Sequence, residues 1–284
     1  MEQNLEENKV ILKKAYKYLE GCLLNSKIFL LIKDENSKEK MAEKIILDHL
    51  IPPERVTSLN CIVKRFILSS INANMRPKVV AKYISNIETN KKFEKLCCGF
   101  HACNIAKMSD EDLYNKMCRE FNIEKGSTTS VMYKFCVSII SIGKYFVDKK
   151  FKDAQTFYQY IDENSQTIKE KEKLSKEISS KLYNIGIALA QDALKELGCS
   201  QFGKPDIHII DIFEIIFKEE QPSNNFINQK FEDLYKSGKS LPYISNIYSV
   251  DKLFWLIGSG FFYKYDLNLG SLKQDFLEEY SADE

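Results

Sequence analysis

The tripeptide Asn184-Ile185-Gly186 constrains this chain more than any other short stretch. It separates two helix-like runs so closely that the backbone must reverse inside it. Asn and Gly are the residues that most readily take φ > 0, which such a reversal favours. Downstream, the run IALAQDALKEL has helical spacing, with Leu189, Leu194 and Leu197 as its large apolar residues. Gly198 then stands as its C′ residue. Pro205 fixes the approach to the next helix, and Asp206 occupies the N-cap of IHIIDIFEIIFK. From Ser180 to Phe213 the sequence thus predicts a tight hairpin, a short helix, a Gly-Lys-Pro turn and a capped helix. That order sets one carboxylate at a helix mouth beside a backbone N–H anion site. It suits chemistry on a phosphate-bearing polymer.

Taken alone, Asp206 is an ordinary structural cap, because Asp is among the commonest N-caps. Gly-Lys-Pro alone is an ordinary loop. The hairpin upstream is what gives Asp206 a chemical reading.

The rest of the chain sets the frame. Its 284 residues suffice for two helical lobes around a cleft, and 44% hydrophobic content supports a real core. A net charge of +1 rules out a polybasic tail binder and leaves a local basic face open. No run of about 18 apolar residues is present, so no membrane span is expected. The N-terminus MEQNLEENKV is polar and acidic, unlike a secretory signal. The eight cysteines scatter among helix-like runs, which fits reduced thiols in a cytoplasmic protein. Cys97, Cys98, His101 and Cys103 cluster, but their spacing matches no zinc knuckle, and no metal is expected.

Nearly every segment reads as helix. Residues 5–23 and 37–50 are amphipathic, Pro52-Pro53 is read as opening a helix through ERVTSLNCIVKRFILSSINAN, and Pro77 as opening another. Ser109 with Asp112 reads as a capping pair. Residues 129–147 form a strongly apolar helix, the centre of a lobe, and 165–182 a charged, solvated helix leading into the hairpin. Near the C-terminus, Gly258-Ser259-Gly260 is expected to break a helix into a loop. The fold class expected is all-α.

The stretch around the hairpin resembles the helix-hairpin-helix DNA glycosylase superfamily, the endonuclease III-like group. The family hairpin has the form Leu-Pro-Gly-Val-Gly followed by four residues ending in Ala. Here Tyr183 falls at the family's proline, Asn184 at its first glycine, Ile185 and Gly186 at the next two positions, and Ala190 at the closing alanine. The family's Val-Asp-Thr-His type motif reads Pro205-Asp206-Ile207-His208. Ala188 stands where bifunctional members carry a nucleophilic lysine, and it precedes Asp206 by 18 residues, the family spacing. Asp211 stands where many members carry arginine. The C-terminal four-cysteine iron–sulfur motif is missing. The match covers about 30 residues.

The resemblance implies two helical lobes with an interlobe cleft: residues 1–54 with 203–284 as a discontinuous lobe carrying the aspartate, and 55–202 as a bundle ending in the hairpin. It implies a monofunctional glycosylase that flips a damaged or modified base out of double-stranded DNA and hydrolyses its N-glycosidic bond, with no lyase step. Asp206 is the catalytic residue. Asn184, Gly186, Ile187, Ala188 and Lys204 contact the DNA backbone. Trp255 and Phe254 are candidates for the base pocket, and His208 is read as a hydrogen-bonding structural neighbour rather than a proton shuttle. No cofactor is expected, although a monovalent cation at the hairpin is compatible with the reading, and the protein is expected to act as a monomer. The Lys-, Asn- and Ile-rich composition points to an AT-rich prokaryotic or phage-related source. Base excision repair and defence against phage DNA with modified cytosine stand equal. The alternative is a non-catalytic helix-hairpin-helix DNA-binding module or an all-helical interaction protein.

Overall fold

The computed structural model describes residues 2–72 and 77–282. Its α-helices are α1 (Glu2–Leu24), α2 (Glu35–Leu50), α3 (Leu59–Ser70), α4 (Pro77–Tyr83), α5 (Lys91–Leu96), α6 (Ala102–Ala106), α7 (Asp110–Glu120) and α8 (Val131–Asp148). They continue as α9 (Ala154–Glu163), α10 (Ile168–Lys181), α11 (Ile187–Lys195), α12 (Ile207–Ile216), α13 (Asn224–Gly238), α14 (Ile247–Ser259) and α15 (Lys273–Ala282). Among the described residues the only strands are β1 (Phe261–Phe262) and β2 (Leu267–Asn268), which pair antiparallel. The fold is mostly helical, and no helix among the described residues is long and apolar enough to cross a membrane. The chain divides into two compact units, Met1–Pro53 with Ser200–Glu284, and Glu54–Cys199.

In the Glu54–Cys199 unit, α8 is the central helix. Its buried residues include Phe135, Cys136, Ile139, Ile140, Ile142 and Phe146. Ser130 fixes where it starts, its hydroxyl accepting the backbone N–H of Tyr133 at 3.3 Å. Helix α6 packs against it at Gly143, where a Cβ would lie 2.6 Å from Ile105 Cγ2 and 2.9 Å from the Ala106 backbone nitrogen. Beyond Gly143, Phe146 joins Phe66, Phe151 and Phe157 in an aromatic cluster with centroids 5.3–6.2 Å apart.

The helix expected to open at Pro52-Pro53 instead begins at Leu59. The intervening segment is engaged elsewhere. Arg55 forms a two-pronged ion pair with Asp162, at 2.7 and 2.6 Å, and lies over the Tyr158 ring. Val56 donates its N–H to the Tyr158 hydroxyl at 3.1 Å. These contacts anchor the Arg55 side chain and satisfy the Val56 N–H without a helical turn. The end of that run, residues 73–74, lies outside the described residues.

The other unit is built around α14. Val250, Leu253, Phe254, Leu256 and Ile257 are all fully buried. Phe213 of α12 sets its ring edge-on to Phe254, at 5.2 Å, and packs on Phe231 of α13, at 5.4 Å. Helix α1 lies along α13, and α2 meets the segment after β1 through His49. That imidazole is fully buried, and burial pushes its pKa below the ordinary histidine value. Its Nε2 accepts the Lys264 N–H at 3.2 Å, so Nδ1 carries the proton and donates to the Ile45 carbonyl at 2.7 Å.

Candidate functional site

The hairpin that the sequence places between two helices joins α10 and α11. A capping box starts α10: Thr167 accepts the Glu170 N–H, and Glu170 accepts the Thr167 N–H. Asn184 takes φ +64°, the left-handed conformation expected of it. Gly186 does not. Its φ is −77° and ψ 173°, extended backbone that any residue adopts. Two serines of α8 fix the hairpin: Ser138 donates to the Tyr183 carbonyl at 3.0 Å, and Ser141 accepts the Tyr183 N–H at 2.9 Å. Inside the pair, Gln191 of α11 donates to Ser175 of α10 at 3.2 Å, both buried.

Gly186 is the N-cap of α11 and has no side-chain hydrogen bond to offer. It is exposed, and a Cβ there would meet nothing within 4 Å. The space beside the Gly186 Cα at the start of α11 is therefore open, while the Leu189 N–H donates to the Gly186 carbonyl at 3.1 Å. Ile187 and Ala188 are half-buried beside it, and Tyr183 projects from the hairpin 43% exposed.

The second turn lies in the other unit. Asp206 is the N-cap of α12, as the sequence predicts, and its Oδ1 accepts the N–H groups of His208 at 3.1 Å and Ile209 at 3.3 Å. Its Oδ2 lies 3.5 Å from Lys204 Nζ, and the two side chains are 15% and 18% exposed. Ahead of it, the Asp206 N–H donates to the Lys204 carbonyl at 2.8 Å across Pro205. A Cβ on Gly203 would lie 2.5 Å from the Phe231 ring, so only glycine lets the turn sit against α13.

Two residues on α14 touch this turn. Asp251, fully buried, accepts the Lys204 backbone N–H at 2.7 Å. Gly258 faces the His208 side chain, where a Cβ would lie 2.5 Å from His208 Cβ. His208 Nδ1 is buried with no hydrogen-bond partner. The imidazole packs on Gly258 of α14. Gly258 itself belongs to α14, contrary to the expected loop; the helix ends at Gly260, whose φ of +61° makes it the cap.

The aromatic candidates separate. Phe254 is fully buried against Phe213, which leaves it no face for a base. Trp255 is half-buried. The Lys252 ammonium stands 5.0 Å from the Trp255 ring, 5.0 Å from Tyr263 and 5.3 Å from Tyr248. Asp211, at the family's arginine position, pairs with Lys273. Among the described residues no group of three or more His, Cys, Asp or Glu side chains is placed to hold a metal ion.

Sequence reasoning missed Asp251 and the exposed Ile207, the residue after the aspartate, at 62% exposure. Asp251 sits in a run that reads only as apolar helix, and its partner lies 47 residues away. No protein-family model, curated protein or solved structure matches this chain.

Proposed function

We propose that this protein is a monofunctional DNA glycosylase of the helix-hairpin-helix type, acting on a damaged or modified base in double-stranded DNA. The observation that carries the reading is the state of Asp206. Its carboxylate is held at a helix mouth by two backbone N–H bonds to one oxygen, and its second oxygen faces Lys204. A fixed carboxylate is what a reaction passing through an oxocarbenium-like sugar requires, because its charge needs no reorganisation as positive charge develops.

In this reading the open N-terminus of α11 takes a backbone phosphate on the N–H groups that follow Gly186. Such a contact fixes position and reads no sequence. The target nucleotide leaves the stack at a cost of a few kcal/mol, repaid in the pocket. The N-glycosidic bond then breaks, its electron pair leaving with the base. Asp206 stabilises the sugar cation and orients the water whose oxygen adds at C1′; that water gives up one proton, and the departing base takes up one. Ala188 has no amine, so no Schiff base forms there and the product is an intact abasic site.

A second reading has its own support. Both Asp206 oxygens are already engaged in capping α12 and pairing with Lys204, as in a purely structural cap. The chain would then bind DNA through the hairpin without cutting it. One experiment separates the two readings. Duplexes carrying oxidised, alkylated, uracil, methylated, hydroxymethylated or glucosylated bases are assayed for abasic sites with wild type and Asp206→Asn. Release from one substrate, lost in the variant, supports the glycosylase and names its base. DNA binding with no release from any duplex supports the binding module. Borohydride reduction during turnover should trap no covalent adduct.

A further inference from the structure

Asp251 is an acidic residue on α14, a helix that is otherwise largely core. It is fully buried in a helix whose neighbouring residues Val250, Leu253 and Phe254 are core. A buried carboxylate costs several kcal/mol of desolvation, and an apolar residue of similar volume is commonly as stable or more so. This carboxylate accepts the Lys204 backbone N–H at 2.7 Å. Lys204 is two residues before Asp206.

Seven residues further along α14, Gly258 receives the His208 side chain at a distance that excludes a Cβ. His208 is two residues after Asp206. Positions seven apart on a helix fall on one face, two turns and about 10 Å apart. One face of α14 therefore holds the chain on both sides of Asp206, by a charge-assisted hydrogen bond before it and by close packing after it. Between these points the backbone has little freedom, and Asp206 Oδ1 is left aligned on the His208 and Ile209 N–H groups.

We propose that Asp251 is the positioning residue for Asp206. It acts through the Lys204 peptide, with the Gly258–His208 contact as the second anchor. The assignment of a catalytic consequence rests on the glycosylase reading; the mechanical assignment does not.

The test uses the full chain and two variants, and it reads the loop before it reads any activity. Asp251→Asn keeps an oxygen that accepts the Lys204 N–H. Asp251→Ala removes it. Hydrogen–deuterium exchange at the His208 and Ile209 amides, compared at equal folded fraction, should accelerate in Asp251→Ala by about tenfold or more, the worth of one hydrogen bond to a charged group. Asp251→Asn should stay within about threefold of wild type. The α1 and α13 amides, in the same unit, should not change in either variant. Unaltered His208 and Ile209 exchange in Asp251→Ala overturns the proposal, and so does equal acceleration in the two variants. If Asp251→Ala does not fold, Gly258→Ala tests the second anchor by the same amides, and unchanged exchange there overturns the proposal equally.

On a substrate found by the duplex panel, Asp251→Ala should lower kcat by about tenfold to a hundredfold with KM for the duplex unchanged, and Asp251→Asn should restore most of kcat. Wild-type kcat in Asp251→Ala overturns the catalytic consequence. Loss of loop protection in a chain that cuts none of the duplexes leaves the mechanical assignment standing and removes the glycosylase reading.

Discussion

Two helices of this protein begin in opposite ways. At α11 the cap is a glycine with no side chain to offer, exposed, with open space where a Cβ would be. At α12 the cap is an aspartate whose carboxylate occupies the first N–H groups, pairs with Lys204, and is flanked by contacts from α14. Every α-helix starts with N–H groups that its own backbone cannot satisfy. A helix mouth left unfilled is a site for an anion from outside; a mouth filled by its own carboxylate is not. The first therefore suits holding a phosphate, and the second suits presenting a fixed negative charge. One physical rule, applied with Gly186 and with Asp206, yields one helix start without a side-chain cap and one filled by its own carboxylate.

The largest expected effect comes from neutralising the filled mouth. Asn is as good an N-cap as Asp, so Asp206→Asn keeps the bonds to His208 and Ile209 and leaves the unfolding midpoint near wild type. Base release should fall by about a thousandfold, in line with removing a preorganised charge at a transition state. Full activity in the variant would sink the catalytic assignment and reduce α12 to an ordinary capped helix.

Next is the turn that leads into that cap. Gly203→Ala forces a methyl to within 2.5 Å of the Phe231 ring, a contact that requires the ring or the backbone to move. Overpacking of this kind costs about 1–3 kcal/mol. Denaturant unfolding should show the loss as a lower midpoint at unchanged slope. A midpoint equal to wild type would mean that the turn is as loose as the α11 entry, and the contrast between the two mouths would weaken.

The two mouths also differ in how far the sequence alone reveals them. Asn184 at φ +64° and Asp206 as N-cap follow from local chemistry, because turn and cap preferences act within three or four residues. The mostly helical fold and the long apolar α8 follow from periodicity for the same reason. Gly186 shows the limit. Its type suggested a left-handed conformation, whereas its φ is −77° and its distinction is the empty space beside it. Asp251 and Gly258 were illegible because their partners lie 47 and 50 residues away, and nothing in a helical pattern says which polar residue will face a distant turn. Phe254 and Trp255 are adjacent in sequence, yet helical geometry turns one into the core and leaves the other half-buried. The helix expected at Pro52-Pro53 failed for a tertiary reason too, since Asp162 and Tyr158 claim the segment first.

The smallest effect on stability is the most informative about the open mouth. Gly186→Asp places at α11 the residue that α12 already has. The backbone there is extended, with room for a side chain, so the substitution introduces no strain. Its carboxylate can accept N–H groups of the first turn, that of Ala188 among them, and replacing a glycine cap by Asp is worth a few tenths of a kcal/mol. The unfolding midpoint should therefore rise slightly. DNA affinity should move the other way, by about tenfold or more at low salt, because the same N–H groups are now taken and a negative charge faces the phosphate. The dependence of binding on salt should become shallower by about one phosphate contact. Two opposite signs from one substitution are hard to obtain unless the N–H groups that gain the cap are those that lose the ligand. If stability rises and affinity is unchanged, α11 holds no phosphate and the proposed role of the hairpin falls. If both fall together, the variant has distorted the hairpin, and Gly186→Ser, a weaker cap without charge, decides between the two explanations.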